Sequence, residues 1–338
     1  MRALIIAPSW IGDAIMAQPL FARLIQRTPE LELEALAPAW VAPVLSRMPE
    51  ITRTRVNPFG HGVLAWRQRR ALGKELAREG FTRAYVLPNS LKSALVPFFS
   101  GIPERIGFTG ECRYGLVNVR HRLDKTALPL MVERFAQLAE APGAALQRPL
   151  PSPRLVSTLE TQAAALAHLQ LEAPARLAVF CPGAEYGAAK RWPTEHFAAL
   201  ARMLAQEGMT VWLLGSRKDH PIGEAIAASS AGVARNLCGA TDMTEAIDLI
   251  AQAALVVCND SGLMHVAAAL DRPTVALFGS SSPGFTPPLS SKARVVSREL
   301  PCSPCFKREC PQGHLDCLRG LMPEKVLRVC QQSLVTGE

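Results

Sequence analysis

The chain has 338 residues, 49% of them hydrophobic and 20% charged, with a formal net charge of +8. That length is more than one core ordinarily fills, and the apolar-to-charged balance is that of a folded protein, so two domains are expected and a disordered chain is excluded. No apolar stretch approaches the roughly 20 residues that span a bilayer, which excludes a membrane-spanning helix.

The chain opens on an apolar run, MRALIIAPSW, that turns polar at Gly12 and Asp13 with no small-residue cleavage site behind it. A buried strand over 2–7 is therefore expected in place of a signal peptide, in a cytoplasmic protein. A helix over 15–26 follows, then strands over 32–37 and 82–87, with helices over 40–47 and 68–79. Pro149, Pro151 and Pro153 mark a linker, which divides the chain into 1–152 and 153–338. A helical stretch over 155–169 leads into a second series. Its strands are expected over 177–181, 210–214, 255–258 and 274–278, and its helices over 194–207, 243–252 and 263–270. The helix at 194 is read as opened by a Thr194 cap and closed by Gly208. Short apolar runs alternating with amphipathic ones predict an α/β fold, two Rossmann-like halves with parallel sheets facing a central cleft. Ligands belong at the carboxyl ends of the strands. The last helix is left free to pack back on the first domain.

The positive charge invites an anionic partner. Nucleic acid is set aside, because no recognised module is present and 3 Tyr offer few stacking platforms. Arg67, Arg69, Arg70, Lys74, Arg78, Lys92, Arg105, Arg113, Arg120 and Arg122 are spread over the first half. They read either as a solvated surface or as a face for phosphorylated lipid or nucleotide. The apolar stretch 95–102, LVPFFSGI, is assigned to the core.

Three segments can carry chemistry. Pro8-Ser9-Trp10-Ile11-Gly12-Asp13 follows the first strand, and a helix that starts there presents unpaired N–H groups. Taken alone, Asp13 reads as a cap of that helix. The loop Cys181–Pro193 holds glycines, Glu185, Tyr186 and the cations Lys190 and Arg191 before a helix. It can wrap a phosphate, or it is a solvated basic pair beside a buried Trp192. The turn Asn259-Asp260-Ser261-Gly262-Leu263 again joins strand to helix, with N–H groups suited to a pyrophosphate and His265 one turn on. Neither a dinucleotide fingerprint, a Walker A loop nor a G-x-S-x-G elbow occurs in these segments.

Together these segments resemble glycosyltransferase family 9, the ADP-heptose:lipopolysaccharide heptosyltransferases. The likeness runs over nearly the whole chain: SWIGDAIMAQP, LAPAW with LSRMPEI, YVLPNSLKSALVPFFSGIPERIGF, RYGLVN, CPGAEYGAAKRWP, LLGSRKDH and NDSGLMHVAAALDRPTVALFG. The resemblance implies a GT-B fold and an inverting transfer of L-glycero-D-manno-heptose from ADP-heptose onto the first heptose of the lipid A–Kdo–heptose inner core. It also implies that no cofactor is required for catalysis. Asp13 matches the family's general base, Lys190 the lysine facing the leaving diphosphate, and Asp260 an acid near the donor sugar. Ser261, Gly262 and Leu263 match the phosphate-binding turn, with His265 beside them. Ser9 lies next to the base, Glu185 and Tyr186 belong to the donor loop, and Thr241 and Met243 flank the adenine region. Lys92, Arg105, Arg113 and Arg120 are the candidates for the anionic acceptor. Such a protein would meet the inner face of the inner membrane peripherally. The alternatives are a sibling transferase with another acceptor, a GT-B nucleotide-sugar epimerase, or a non-catalytic nucleotide-binding module.

Nine cysteines are present, and Cys302, Cys305, Cys310 and Cys317 cluster around His314. In a reducing compartment that spacing predicts a structural zinc site ahead of free thiols or disulfides.

Overall fold

Two six-stranded parallel sheets underlie this alternation in a computed structural model, which describes residues 1–60 and 62–335. The chain divides into two units, Met1–Arg154 and Leu155–Glu338. The first unit contains β1 (Arg2–Ile6), β2 (Glu32–Ala37), β3 (Ile51–Val56), β4 (Arg83–Val86), β5 (Glu104–Phe108) and β6 (Val119–His121), in the order β3-β2-β1-β4-β5-β6. The second contains β7 (Leu177–Cys181), β8 (Thr210–Leu213), β9 (Ala234–Asn236), β10 (Leu255–Asn259), β11 (Thr274–Phe278) and β12 (Ala293–Ser297), in the order β12-β11-β10-β7-β8-β9. Counted within each unit, both are the doubly wound Rossmann order 3-2-1-4-5-6. The topology therefore reverses beside β1 in one unit and beside β7 in the other, and those crevices are where such sheets bind ligands.

Central strands are covered on both faces, so they read as continuous apolar runs. Ala3, Leu4 and Ile5 of β1 and Val179 and Phe180 of β7 have no exposed surface. The edge strands β3, β6, β9 and β12 are partly exposed and mix polar with apolar residues, as in ITRTRV and ARVVS. These are the strands that a search for apolar runs passes over.

Several helix bounds differ from expectation, among them 40–47, which is Ala42–Leu45, and 68–79, which is Trp66–Leu76; three others have a clear local reason. The helix expected over 15–26 is two helices, Ile11–Met16 and Gln18–Arg27. Pro19 lies in the first turn of the second and has no N–H to continue the first. Thr194 is the first helical residue of Thr194–Gln206 rather than its cap; the cap position is Pro193, and Gly208 at φ +80° ends the segment. The helix expected from 155 begins at Leu159, where Thr158 accepts a hydrogen bond from the Thr161 N–H at 3.2 Å. The last helix, Pro323–Val335, packs on Thr194–Gln206 and on β10, β11 and β12, with Val326 and Cys330 fully buried. Of the stretch 95–102, Leu95, Val96 and Ile102 are buried, whereas Phe98 is exposed.

Candidate active site

In the second unit, the loop after β7 and the turn after β10 meet at the topological switch. Buried Asn259, the last residue of β10, ties them: its side chain accepts the Trp192 N–H at 3.0 Å and donates to the Pro182 carbonyl at 2.7 Å. Trp192 is itself buried and donates its indole N–H to the Leu321 carbonyl at 2.8 Å. This anchoring delivers Lys190 to Asp260, with Nζ 2.5 Å from Oδ2 and side chains only 18% and 6% exposed. A pair so withdrawn from water is electrostatically strong but costly to desolvate, so it is weak grounds for a role in stability.

Asp260 precedes Ser261, the cap position of the helix Gly262–Ala269. The Ser261 hydroxyl makes no capping bond, and Ser261 Oγ, Ser280 Oγ and Ser281 Oγ are buried without a hydrogen-bond partner among the described residues. Ser280 and Ser281 follow β11, the strand beside β10. Unpaired buried hydroxyls call for an explanation. Ser261 stands at the helix start next to Asp260, which holds the Lys190 ammonium, a combination suited to an anion. His265 is buried, and burial pushes its pKa down to about 4, so the ring is neutral near pH 7.

The donor loop leans on the cysteine-bearing segment. Tyr186 donates its hydroxyl proton to the Phe306 carbonyl at 2.9 Å, and the Ala189 N–H donates to the Arg308 carbonyl at 3.0 Å. Gly187 permits that approach, since a Cβ there would stand 2.3 Å from the Arg308 oxygen. The Tyr186 ring carries Lys190 Nζ 5.1 Å from its centroid and Arg308 Cζ 5.3 Å from it. Arg308 is a candidate that sequence reasoning missed; it lies far along the chain, and only Gly187 hints at a close neighbour. Glu185 turns to Lys218, with which it pairs at 2.6 Å. Thr241 and Met243 are half-buried about Asp242, which caps the helix Met243–Ala251 by accepting the Glu245 N–H at 2.8 Å.

In the first unit, the loop after β1 carries half-buried Ser9, whose carbonyl accepts the Trp40 indole N–H at 2.8 Å. Trp10 occupies the cap position of Ile11–Met16, and half-buried Asp13 is the third helical residue. Asp13 is therefore not the cap. Its carboxylate lies in the first turn, where the helix dipole favours negative charge.

The four acceptor candidates separate. Arg113 is 2% exposed and donates to the Phe108 and Pro88 carbonyls and to Asn89 Oδ1, so it braces the loops after β4 and β5. This corrects its reading as an acceptor contact, because burial and internal bonds consume its donors. Arg105 lies near the amino end of β5 and donates to the Leu116 and Gly115 carbonyls at 2.7 and 3.1 Å. Its position is opposite to the carboxyl ends where ligands are expected. Half-buried Lys92 stands in the turn Leu91–Ala94, and exposed Arg120 lies over the Tyr114 ring at 5.6 Å.

Cys302, Cys305, Cys310, His314 and Cys317 line one cavity with Ala189 and Ser280. Nevertheless, among the described residues no group of three or more His, Cys, Asp or Glu is arranged to hold a metal ion, and all four cysteines are free. His314 has turned both nitrogens to the protein: Nδ1 accepts the Asp316 N–H at 2.9 Å, and Nε2 is 2.5 Å from Gln312 Oε1. No zinc site is therefore identified among the described residues. The N–H groups of Leu315, Gln312, Gly313 and His314 lower the Cys310 thiol's pKa, while burial raises that of Cys317.

Comparison with known proteins agrees over the full length. The profile of Glycosyltransferase family 9 (heptosyltransferase) matches residues 69–316. The chain is 47% identical to lipopolysaccharide heptosyltransferase 2 of Salmonella typhimurium over 336 residues, covering 97% of each. It is 46% identical to lipopolysaccharide heptosyltransferase 2 of Escherichia coli K12, covering all of both chains. The solved structure of the E. coli ADP-heptose lps heptosyltransferase II superposes with a TM-score of 0.89 at 44% identity, over 99% of each chain. That match gives the paired Rossmann sheets their architecture, GT-B. The chain belongs to glycosyltransferase family 9 and is a glycosyltransferase.

Proposed function

We propose that the protein transfers L-glycero-D-manno-heptose from ADP-heptose to the first heptose of the lipopolysaccharide inner core, with inversion at the anomeric carbon. One observation carries the donor half: the Lys190–Asp260 pair, at 2.5 Å, lies at the head of Gly262–Ala269 beside the unpartnered Ser261 hydroxyl. A sugar-transfer transition state has oxocarbenium character, and negative charge grows on the departing diphosphate. Lys190 and the N–H groups of Ser261, Gly262 and Leu263 meet that charge from fixed positions, at little cost of reorganisation. Asp260 holds the ammonium in place. Neutral His265 packs behind it without adding a competing charge.

Asp13 supplies the base. Its carboxylate takes the proton of the acceptor hydroxyl as that oxygen bonds to the anomeric carbon, and the bond from that carbon to the diphosphate oxygen breaks with its electron pair leaving on ADP. Lys92 and Arg120 are the remaining candidates for the acceptor's anionic groups. The cysteine segment supports the donor loop and its cysteines take no part in the chemistry, while Arg308 of the same segment faces the donor loop through the Tyr186 ring.

The deciding experiment incubates the protein with ADP-heptose and defined lipid A–Kdo–heptose acceptors and weighs the products. One added heptose per acceptor, with ADP released in equal amount, is the expected result. Turnover of the donor without any acceptor would indicate an epimerase, and binding of ADP with no turnover would indicate a nucleotide-binding module. Full-length similarity to transferases already weighs against both.

A further inference from the structure

A surface of the first unit remains unused by this chemistry. The helix Trp66–Leu76 buries Arg69, Gly73 and Leu76, packs half-buried Leu72 on the core and turns its remaining residues outward. Gly73 lets it press on the neighbouring helix Leu95–Phe99, since a Cβ there would stand 2.5 Å from that of Phe99. Arg67, Arg70 and Lys74 follow one another on the exposed side in steps of three and four, and Arg78 continues the row in the turn Ala77–Glu79. Such spacing places cations along one helical stripe. Glu75 is the only acid in Trp66–Leu76.

Beside that stripe lies an exposed apolar tip. Val63, Leu64, Trp66 and Phe98 are 52%, 50%, 48% and 42% exposed. Trp66 and Phe98 are joined through Phe99: the Trp66 ring meets Phe99 edge-on at 4.9 Å, and Phe99 meets Phe98 at 5.6 Å. Buried Arg69 pins the preceding loop by donating to the Leu64 carbonyl at 2.7 Å and the Val63 carbonyl at 3.3 Å. Large apolar side chains held outward by a buried arginine incur a standing exposure cost, which a partner would remove.

We propose that this face, Val63, Leu64, Trp66 and Phe98 with the Arg67–Arg70–Lys74–Arg78 row, docks the protein on an anionic phospholipid surface. Aromatic and aliphatic side chains beside a line of long cations suit the boundary between headgroups and acyl chains. The stripe has a marked cationic excess, and a leaflet of anionic lipids attracts such a row. The proposal rests on the reading that the acceptor is lipid-linked, and it assigns the residues that bring the protein to the acceptor's layer.

The test is sedimentation of the whole protein with vesicles of phosphatidylcholine alone or mixed with phosphatidylglycerol. Binding to the mixed vesicles that is released by salt is expected, with much weaker binding to the neutral ones. Replacing the row together, by Arg67→Gln, Arg70→Gln, Lys74→Gln and Arg78→Gln, should weaken binding to the mixed vesicles at least ~100-fold. These side chains are exposed, so the melting temperature should be kept. Trp66→Ser with Phe98→Ser should weaken it roughly 10-fold. Transfer to a deacylated, water-soluble acceptor should be unchanged in the four-Gln variant, while transfer to vesicle-embedded acceptor falls. Wild-type protein that binds neither vesicle, or a four-Gln variant that binds both as wild type does, would overturn the proposal and leave the transfer reaction standing. Self-association lost in the variants with no vesicle binding would assign the face to a second copy instead. Loss of transfer to both acceptors would show that the row serves the reaction itself.

Discussion

The two units repeat one sheet order yet present opposite chemistry at the same place in it. Beside β1, a short loop leads into a six-residue helix with an acid, Asp13, in its first turn. Beside β7, a loop of twelve residues, numbers 182–193, brings a cation, Lys190, to Asp260, the acid after β10 that precedes the helix Gly262–Ala269. The difference follows from the supports. The first loop is fixed by a backbone carbonyl and Trp40. The second is fixed by Asn259 below and by the cysteine segment beside it, through Phe306 and Arg308. A shared fold thus sets where a ligand goes, and the loops decide which charge it meets.

The comparison breaks most sharply at Asp13. Asp13→Asn should lower turnover by ~10²–10⁴-fold, because the amide cannot accept the proton. Stability should fall by no more than about 1 kcal/mol, the worth of a carboxylate near a helix start. Thermal melting alongside product assays separates the two; a large melting shift with normal turnover would return Asp13 to a structural role. Lys190→Ala comes next, with a fall in kcat/KM of roughly 10–10³-fold that includes weaker donor binding. Unchanged kinetics would leave Lys190 a partner for Asp260 alone.

Arg308→Gln should weaken ADP binding by about 3- to 10-fold and affect AMP less, with Arg308→Lys recovering part of it. Equal losses for ADP and AMP would place Arg308 away from the terminal phosphate. His265 gives a pH signature. Its folded-state pKa of about 4 lies below the ordinary 6.5, so the unfolded chain binds the extra proton. Stability should therefore decline as pH falls from 6.5 toward 4, by roughly 2–3 kcal/mol from this group. Urea midpoints across that range should flatten in His265→Gln; an equally steep decline would move its cause elsewhere. The smallest effect is chemical. Cys310, with its lowered pKa, should be alkylated before the raised Cys317. Peptide mapping after brief iodoacetamide treatment would show the order, and labelling of Cys317 first would contradict it.

Much of the frame was legible in the sequence, because central strands are runs with no exposed side. The expected bounds of 177–181 and 274–278 coincide with β7 and β11. Edge strands such as ITRTRV were not legible, since half their residues face solvent and the apolar signal is halved. At the site, strand-loop-helix junctions were readable as ligand positions, whereas burial was not readable from charge. Arg113 looks like any surface cation until its neighbours' carbonyls are seen to hold it. The cysteine spacing likewise suggested zinc, yet among the described residues no group of three or more His, Cys, Asp or Glu is arranged to hold a metal ion.

The division of labour between the two loops is tested most directly by calorimetric titration of ADP into wild type, Asp13→Asn and Lys190→Ala under one set of conditions. The account predicts that Asp13→Asn binds ADP within about twofold of wild type, while Lys190→Ala binds at least ~10-fold more weakly. An Asp13→Asn protein that loses ADP affinity as severely as Lys190→Ala, or a Lys190→Ala protein that binds ADP as wild type does, would contradict it.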